Sequence, residues 1–115
     1  MGNGALNEGL ADVFAYALTN DLQLGEGWFK NGSTVRDYNS PNTWSQMSSE
    51  AHHDGEVIAG AYIKFGQQVG IPRMMEILEQ VMALHLDSTA CYPYCNVSST
   101  RNLYTNIFNA TLDKV

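Results

Sequence analysis

Apolar residues along the chain recur mostly at the spacing of a helix face. From Ala5 to Thr19 the positions Leu6, Leu10, Val13, Phe14, Ala17 and Leu18 fall three and four apart, which predicts an amphipathic helix. A second helix is predicted from about His53 to Gln68, with Val57, Ile58, Ala61, Tyr62 and Phe65 inward and Ala59 and Gly60 leaving room for close packing. Gly70-Ile71-Pro72 breaks the pattern and restarts it, because proline is tolerated in a first helical turn. A third helix, Pro72 to Leu86, sets Met74, Met75, Leu78, Val81, Met82 and His85 on one side. After a loop over 87–97, Ser98 or Ser99 can cap a fourth helix lined by Leu103, Tyr104, Ile107, Phe108 and Leu112.

Between the first two helices the pattern dissolves. Gly25, Gly27, Gly32, Asn39, Ser40, Pro41 and Asn42 punctuate residues 20–54, and Trp28, Phe29, Tyr38 and Trp44 are its anchors. Irregular connections of this length inside a compact domain are usually functional or disordered, and the aromatic content here favours function. No stretch alternates with the period of a strand, so the expected fold is all-α. It is a small bundle of about four helices with a long irregular loop after the first, forming one domain over 1–115.

Composition narrows the function. Six basic against twelve acidic side chains leave a net charge of −6, without the basic footprint that nucleic acids or anionic membranes require. The apolar runs fall far short of the roughly 20 residues that cross a bilayer. Met1-Gly2-Asn3-Gly4 has neither the charge nor the apolar stretch of a signal peptide. Cys91 and Cys95 flank Tyr92-Pro93-Tyr94, a spacing that suits a loop disulfide or two free thiols, and not a metal knuckle. Sequons begin at Asn31, Asn96 and Asn109 and matter only on a eukaryotic secretory path.

Three places concentrate reactive groups. Glu8 and Asp12 lie four apart, so their carboxylates share a helix face and repel unless a cation or an imidazole joins them. Otherwise they are a solvated acidic face. Ala51-His52-His53-Asp54-Gly55-Glu56 gathers two imidazoles and three acids near the start of the second helix. Adjacent helical residues diverge by about 100°, so His52 and His53 cannot both face one ion if both are helical; a His52 that precedes the helix can point into a cleft while His53 and Asp54 occupy the cap. Arg36 offers a planar donor fork for a carbonyl or carboxylate, or pairs with Asp37 or Glu26. His85, on the apolar stripe, reads as a core histidine.

In order, these segments resemble the C-terminal helical domain of thermolysin-like and fungalysin-like zinc metallopeptidases, the gluzincins. Gly4-Ala5-Leu6-Asn7-Glu8-Gly9-Leu10-Ala11-Asp12 is similar to the family's Gly-Ala-x-Asn-Glu-x-x-Ser-Asp, with Ala11 in place of the serine. The resemblance implies that Glu8 is a zinc ligand and that Asp12 orients a zinc-bound imidazole. Leu24-Gly25-Glu26 is similar to the family's Ile/Val-Gly-Glu, and Arg36 followed by Pro41 to its arginine that holds a substrate carbonyl. His52-His53-Asp54-Gly55-Glu56-Val57 resembles the fungalysin form His-x-x-Gly-Glu-Val, which implies that His52 donates a hydrogen bond to the tetrahedral intermediate, with His53 as the alternative catalytic residue. Where thermolysin has its histidine this chain has Ala51, and where thermolysin has the aspartate that orients it this chain has Met47, leaving Glu50 as a substitute. The resemblance covers most of residues 4–66.

The family's His-Glu-x-x-His helix, which supplies two imidazole ligands and the general base, does not occur in the chain. The expectation is a C-terminal lobe of a secreted, extracellular endopeptidase, cut from a larger chain or completed by another polypeptide. It is inactive and metal-free alone, and Zn²⁺ binds only in the intact enzyme. Its expected partners are a peptide or protein substrate and the missing lobe, and the apolar wall left uncovered is compatible with a homodimer. Two other readings stand beside this one. One is a non-catalytic helical interaction module; the other is a small metal-binding module using His52, His53, Asp54 and Glu56.

Overall fold

A computed structural model describes residues 3–25, 35–84 and 95–115. The chain folds as a small all-α bundle of four helices: α1 (Gly4–Thr19), α2 (Ala51–Val69), α3 (Ile71–Met82) and α4 (Val97–Lys114). Their ends follow side-chain chemistry. The Asn3 side chain caps α1 by accepting the Leu6 N–H, and α1 stops where Asn20 turns left-handed at φ 53°. α2 starts two residues earlier than its pattern predicts, at Ala51, because the Glu50 carboxylate accepts the N–H groups of His52 and His53. Gly70, at φ 89°, ends α2, and α3 begins at once with Pro72 in its first turn. α4 is capped by Asn96 and not by Ser98 or Ser99; Ser99 instead returns the bond to the Asn96 N–H. The expected end of α3 at Leu86 lies outside the described residues, as do His85 and Cys91, whereas Cys95 is disulfide-bonded.

The long connection after α1 holds a short antiparallel ladder that the hydropathy pattern does not show. β1 (Gln23–Leu24) pairs with β2 (Arg36–Asp37), with Gln23 opposite Asp37 and Leu24 opposite Arg36. A turn of 3-10 helix follows at Trp44–Gln46. Trp44 is tied to α4 by Arg101, whose guanidinium lies 5.5 Å from the ring centroid and donates to the Trp44 carbonyl at 2.7 Å. Trp28 and Phe29 lie outside the described residues.

The connection is long because α1 and α2 run parallel. Gly4 meets Ala51, Gly9 meets Gly55 and Ile58, and Tyr16 meets Gly66, so numbers rise together along both helices. Parallel neighbours cannot be joined by a tight turn, and the chain must travel back the length of α1 before α2 can start. The crossing is close. A methyl group on Gly9 would stand 2.6 Å from the Gly55 carbonyl oxygen, and one on Gly55 would stand 2.9 Å from that of Ala5. α4 runs the same way, since Thr100 bonds the Asn3 cap, Tyr104 donates to the Asp54 carbonyl, and Thr111 meets the Tyr62 hydroxyl. The N-terminal ends of three helices therefore gather at one end of the bundle.

Val13, Ile58, Tyr62, Ile63, Met74, Ile77, Leu78, Val81, Tyr104 and Ile107 form the fully buried centre. Not every residue on the predicted apolar stripes joins it. Phe14, Leu18 and Leu112 remain exposed, at 47%, 88% and 70%. On α1 the exposed row is Gly4, Asn7, Ala11, Phe14 and Leu18, three and four apart, with no charge on it.

Candidate functional site

The close parallel crossing carries Glu8, on the second turn of α1, to His52, on the first turn of α2. The His52 Nε2 lies 3.5 Å from the Glu8 Oε2, and both side chains keep access to solvent. On the other side of the ring, Nδ1 lies 3.0 Å from the Glu50 Oε1. One imidazole is thus lined up between two carboxylates from different elements. Its proton affinity rises, first through the bond to Glu50 and then through the field of Glu8. The Glu50 carboxyl is pushed down to about 2 by the His52 side chain and by the N–H groups of His53 and His52.

Behind Glu8, one turn along α1, Asp12 is buried and fully engaged. Arg36 grips it with two bonds, Nε to Oδ2 at 2.5 Å and Nη2 to Oδ1 at 2.8 Å, and the Tyr38 hydroxyl donates to Oδ2 at 2.5 Å. Arg36 opens β2 and Tyr38 follows the strand directly, its N–H held by the Leu22 carbonyl at 2.8 Å, and both side chains reach the same carboxylate. The contact with Asp12 raises the Arg36 pKa, and burial followed by the bond to Asp12 lifts the Tyr38 phenol well above its usual value. Of the two partners expected for Arg36, Asp37 is not the one it takes. The Asp37 carboxylate is occupied by the Asn39 and Gln23 amides, and Glu26 lies outside the described residues.

His53 turns elsewhere. Its Nδ1 lies 3.2 Å from the Asp54 Oδ1 and 3.4 Å from the Ser48 Oγ. Asp54 is itself buried and accepts the Ser48 and Ser49 N–H groups at 2.8 Å each, shaping the entry to α2. Glu56 is paired with the Asn42 amide at 2.8 Å. Both histidines are helical, contrary to the expectation that His52 could precede α2, and they diverge by the helical angle.

The structure therefore brings together Glu8 with His52, and Asp12 with Arg36, on neighbouring turns, and leaves His53 on a separate cluster. Sequence reasoning missed Tyr38 as a partner of Asp12, though its place two residues after Arg36 was the available signal. It also missed Asn3 as the α1 cap, a residue type that favours that position.

Zinc can be tested against this donor set. Among the described residues, no three side chains of His, Cys, Asp or Glu converge into a group that could hold a metal ion. Glu8 and His52 supply one corner of such a site and not a closed shell. Among the described residues, no helix is long and apolar enough to cross a membrane. Compared with models of known protein families, with curated proteins and with solved structures, the chain matches none of them.

Proposed function

We propose that this chain is the C-terminal lobe of a zinc-dependent endopeptidase, inactive until it meets a polypeptide that carries the His-Glu-x-x-His helix. The observation that carries the reading is the juxtaposition of Glu8 and His52 at 3.5 Å, backed by Asp12 and Arg36 one turn away. Four motifs separated along the chain resemble the family in order, and the residues expected to act together are neighbours in space.

In this reading Glu8 would help hold a Zn²⁺ whose other ligands come from the second polypeptide, and that ion would supply polarisation of the scissile carbonyl and activation of water. The chain's own residues do the rest of the work on this side of the cleft. Glu50 accepts from Nδ1 and favours the cationic form of the His52 ring, in which Nε2 also carries a proton to donate to the oxyanion that forms, a contribution of about 2.7–4 kcal/mol per donor. The N-terminal ends of α1 and α2 point to the same end of the bundle and favour negative charge there. Asp12 clamps Arg36 through Nε and Nη2, which leaves Nη1 to bind a substrate carbonyl.

The test is complementation. Mixed with zinc and a peptide substrate, the chain alone gives no hydrolysis. With a polypeptide bearing the His-Glu-x-x-His lobe it gives chelator-sensitive hydrolysis that Glu8→Gln abolishes. Hydrolysis that survives Glu8→Gln, or none with any such lobe, rejects the reading and leaves the helical interaction module.

A further inference from the structure

Asn96-Val97-Ser98 is a sequon, and the fold places it at the boundary of α4. Asn96 is exposed and its backbone is extended, at φ −131° and ψ −177°. The two ends of its side-chain amide have different tasks. Oδ1 caps the helix by accepting the Ser99 N–H at 2.9 Å, while Nδ2 has no hydrogen-bond partner among the described residues. A group joined to Nδ2 therefore leaves the cap in place. Ser98 is exposed too, and its hydroxyl also has no partner among the described residues. It lies in the first turn, where N–H groups have no intrahelical acceptor, so fraying one turn returns the whole sequon to an extended form.

The sequon at Asn109 differs. Its Thr111 hydroxyl donates to the Ile107 carbonyl at 2.8 Å and also meets the Tyr62 hydroxyl. Ile107 and Ala110, on either side of Asn109, are buried. Extending 109–111 would pull α4 off the core, so this sequon closes as soon as the helix docks. The sequon at Asn31 lies outside the described residues.

The residue before Asn96 supplies the compartment. Cys95 is disulfide-bonded, and disulfides persist in the oxidising lumen and extracellular space that a secretory path leads through. That is the path on which sequons are used.

We propose that Asn96 is a site of N-linked glycosylation. The donor is an oligosaccharide joined through pyrophosphate to a lipid. The Asn96 Nδ2 bonds the anomeric carbon, the bond from that carbon to the pyrophosphate breaks, the amide gives up one proton, and the lipid pyrophosphate leaves. The proposal is independent of the peptidase reading.

The test is peptide mapping by mass spectrometry of the full chain, produced in a eukaryotic host behind a cleavable secretion leader. An oligosaccharide is expected on Asn96, removable by an endoglycosidase for N-linked chains, with Asn109 bare and Cys95 protected from alkylation. Asn96→Gln is expected to lose it completely. Ser98→Ala, at an exposed position, keeps the Asn96 cap, removes only the sequon, and should lose it as fully. Ser98→Thr should retain it. A bare Asn96, an oligosaccharide on Asn109 in its place, one that survives Ser98→Ala, or Cys95 as a free thiol overturns the proposal.

Discussion

Arg36 and Asp12 meet through two parallel bonds, at 2.5 and 2.8 Å, that join the long connection to α1. The Asp12 side chain is 8% exposed and that of Arg36 21%, so the pair is largely shielded from water. Removing one partner strands the other charge. Asp12→Ala is expected to lower stability by about 3 kcal/mol, read from urea unfolding. The double variant Asp12→Ala/Arg36→Met should lose less than the sum of the two single losses, by at least about 1 kcal/mol. Strict additivity would show that the pair contributes nothing as a unit.

The α1–α2 crossing depends on Gly9. A side chain there collides with the Gly55 carbonyl and with Ile58, both held by packing. Gly9→Ala should destabilise the fold by about 1–3 kcal/mol despite the better helix propensity of alanine. It should also move Glu8 away from His52, which a smaller upward displacement of the His52 pKa would reveal by NMR. A variant as stable as the parent contradicts the close crossing.

The Glu50–His52–Glu8 line has a defined pH signature. The His52 pKa is raised above its ordinary 6.5, so its ion pairs contribute stability fully below that pH and lose it as pH rises through the raised value. Glu50 is lowered from 4.5 to about 2, so its contribution is complete above 4.5 and disappears as pH falls through about 2. Urea midpoints measured across pH should show both limbs. His52→Gln flattens the alkaline one, and Glu50→Gln flattens the acid one and lowers the His52 midpoint. A His52 midpoint unchanged in Glu50→Gln contradicts the contact at Nδ1.

Tyr104 bonds the Asp54 carbonyl from α4 at 3.0 Å, and burial, followed by the field of Asp54, raises its phenol well above the ordinary value. Tyr104→Phe should cost about 1 kcal/mol, measured by thermal or urea unfolding. In an alkaline absorbance titration the variant should lose one of the late-ionising tyrosines. Loss of an early-ionising one instead would place Tyr104 at the surface.

The four helices were legible because each buries a face with a period that side-chain spacing reveals. Their ends were less so: Glu50 and Asn96 cap α2 and α4 through bonds that hydropathy does not record. The β1–β2 ladder was hidden because a two-residue strand is too short to alternate. Phe14 and Leu18 continue the α1 stripe in the sequence yet stay exposed, since α2 and the β1–β2 connection cover only part of that helix.

From the chain's residues alone came the all-α class, the loop between the first two helices, and Glu8, Asp12, Arg36 and His52 as residues worth placing. Spacing within a helix decides which side chains share a face, and that is local information. The tertiary structure decided that α1 and α2 run parallel, that His52 and not His53 faces Glu8, and that Asp12 takes Arg36 and Tyr38. Those relations depend on helix direction and on how closely Gly9 and Gly55 let two backbones approach, and neither is written in the period of any one segment.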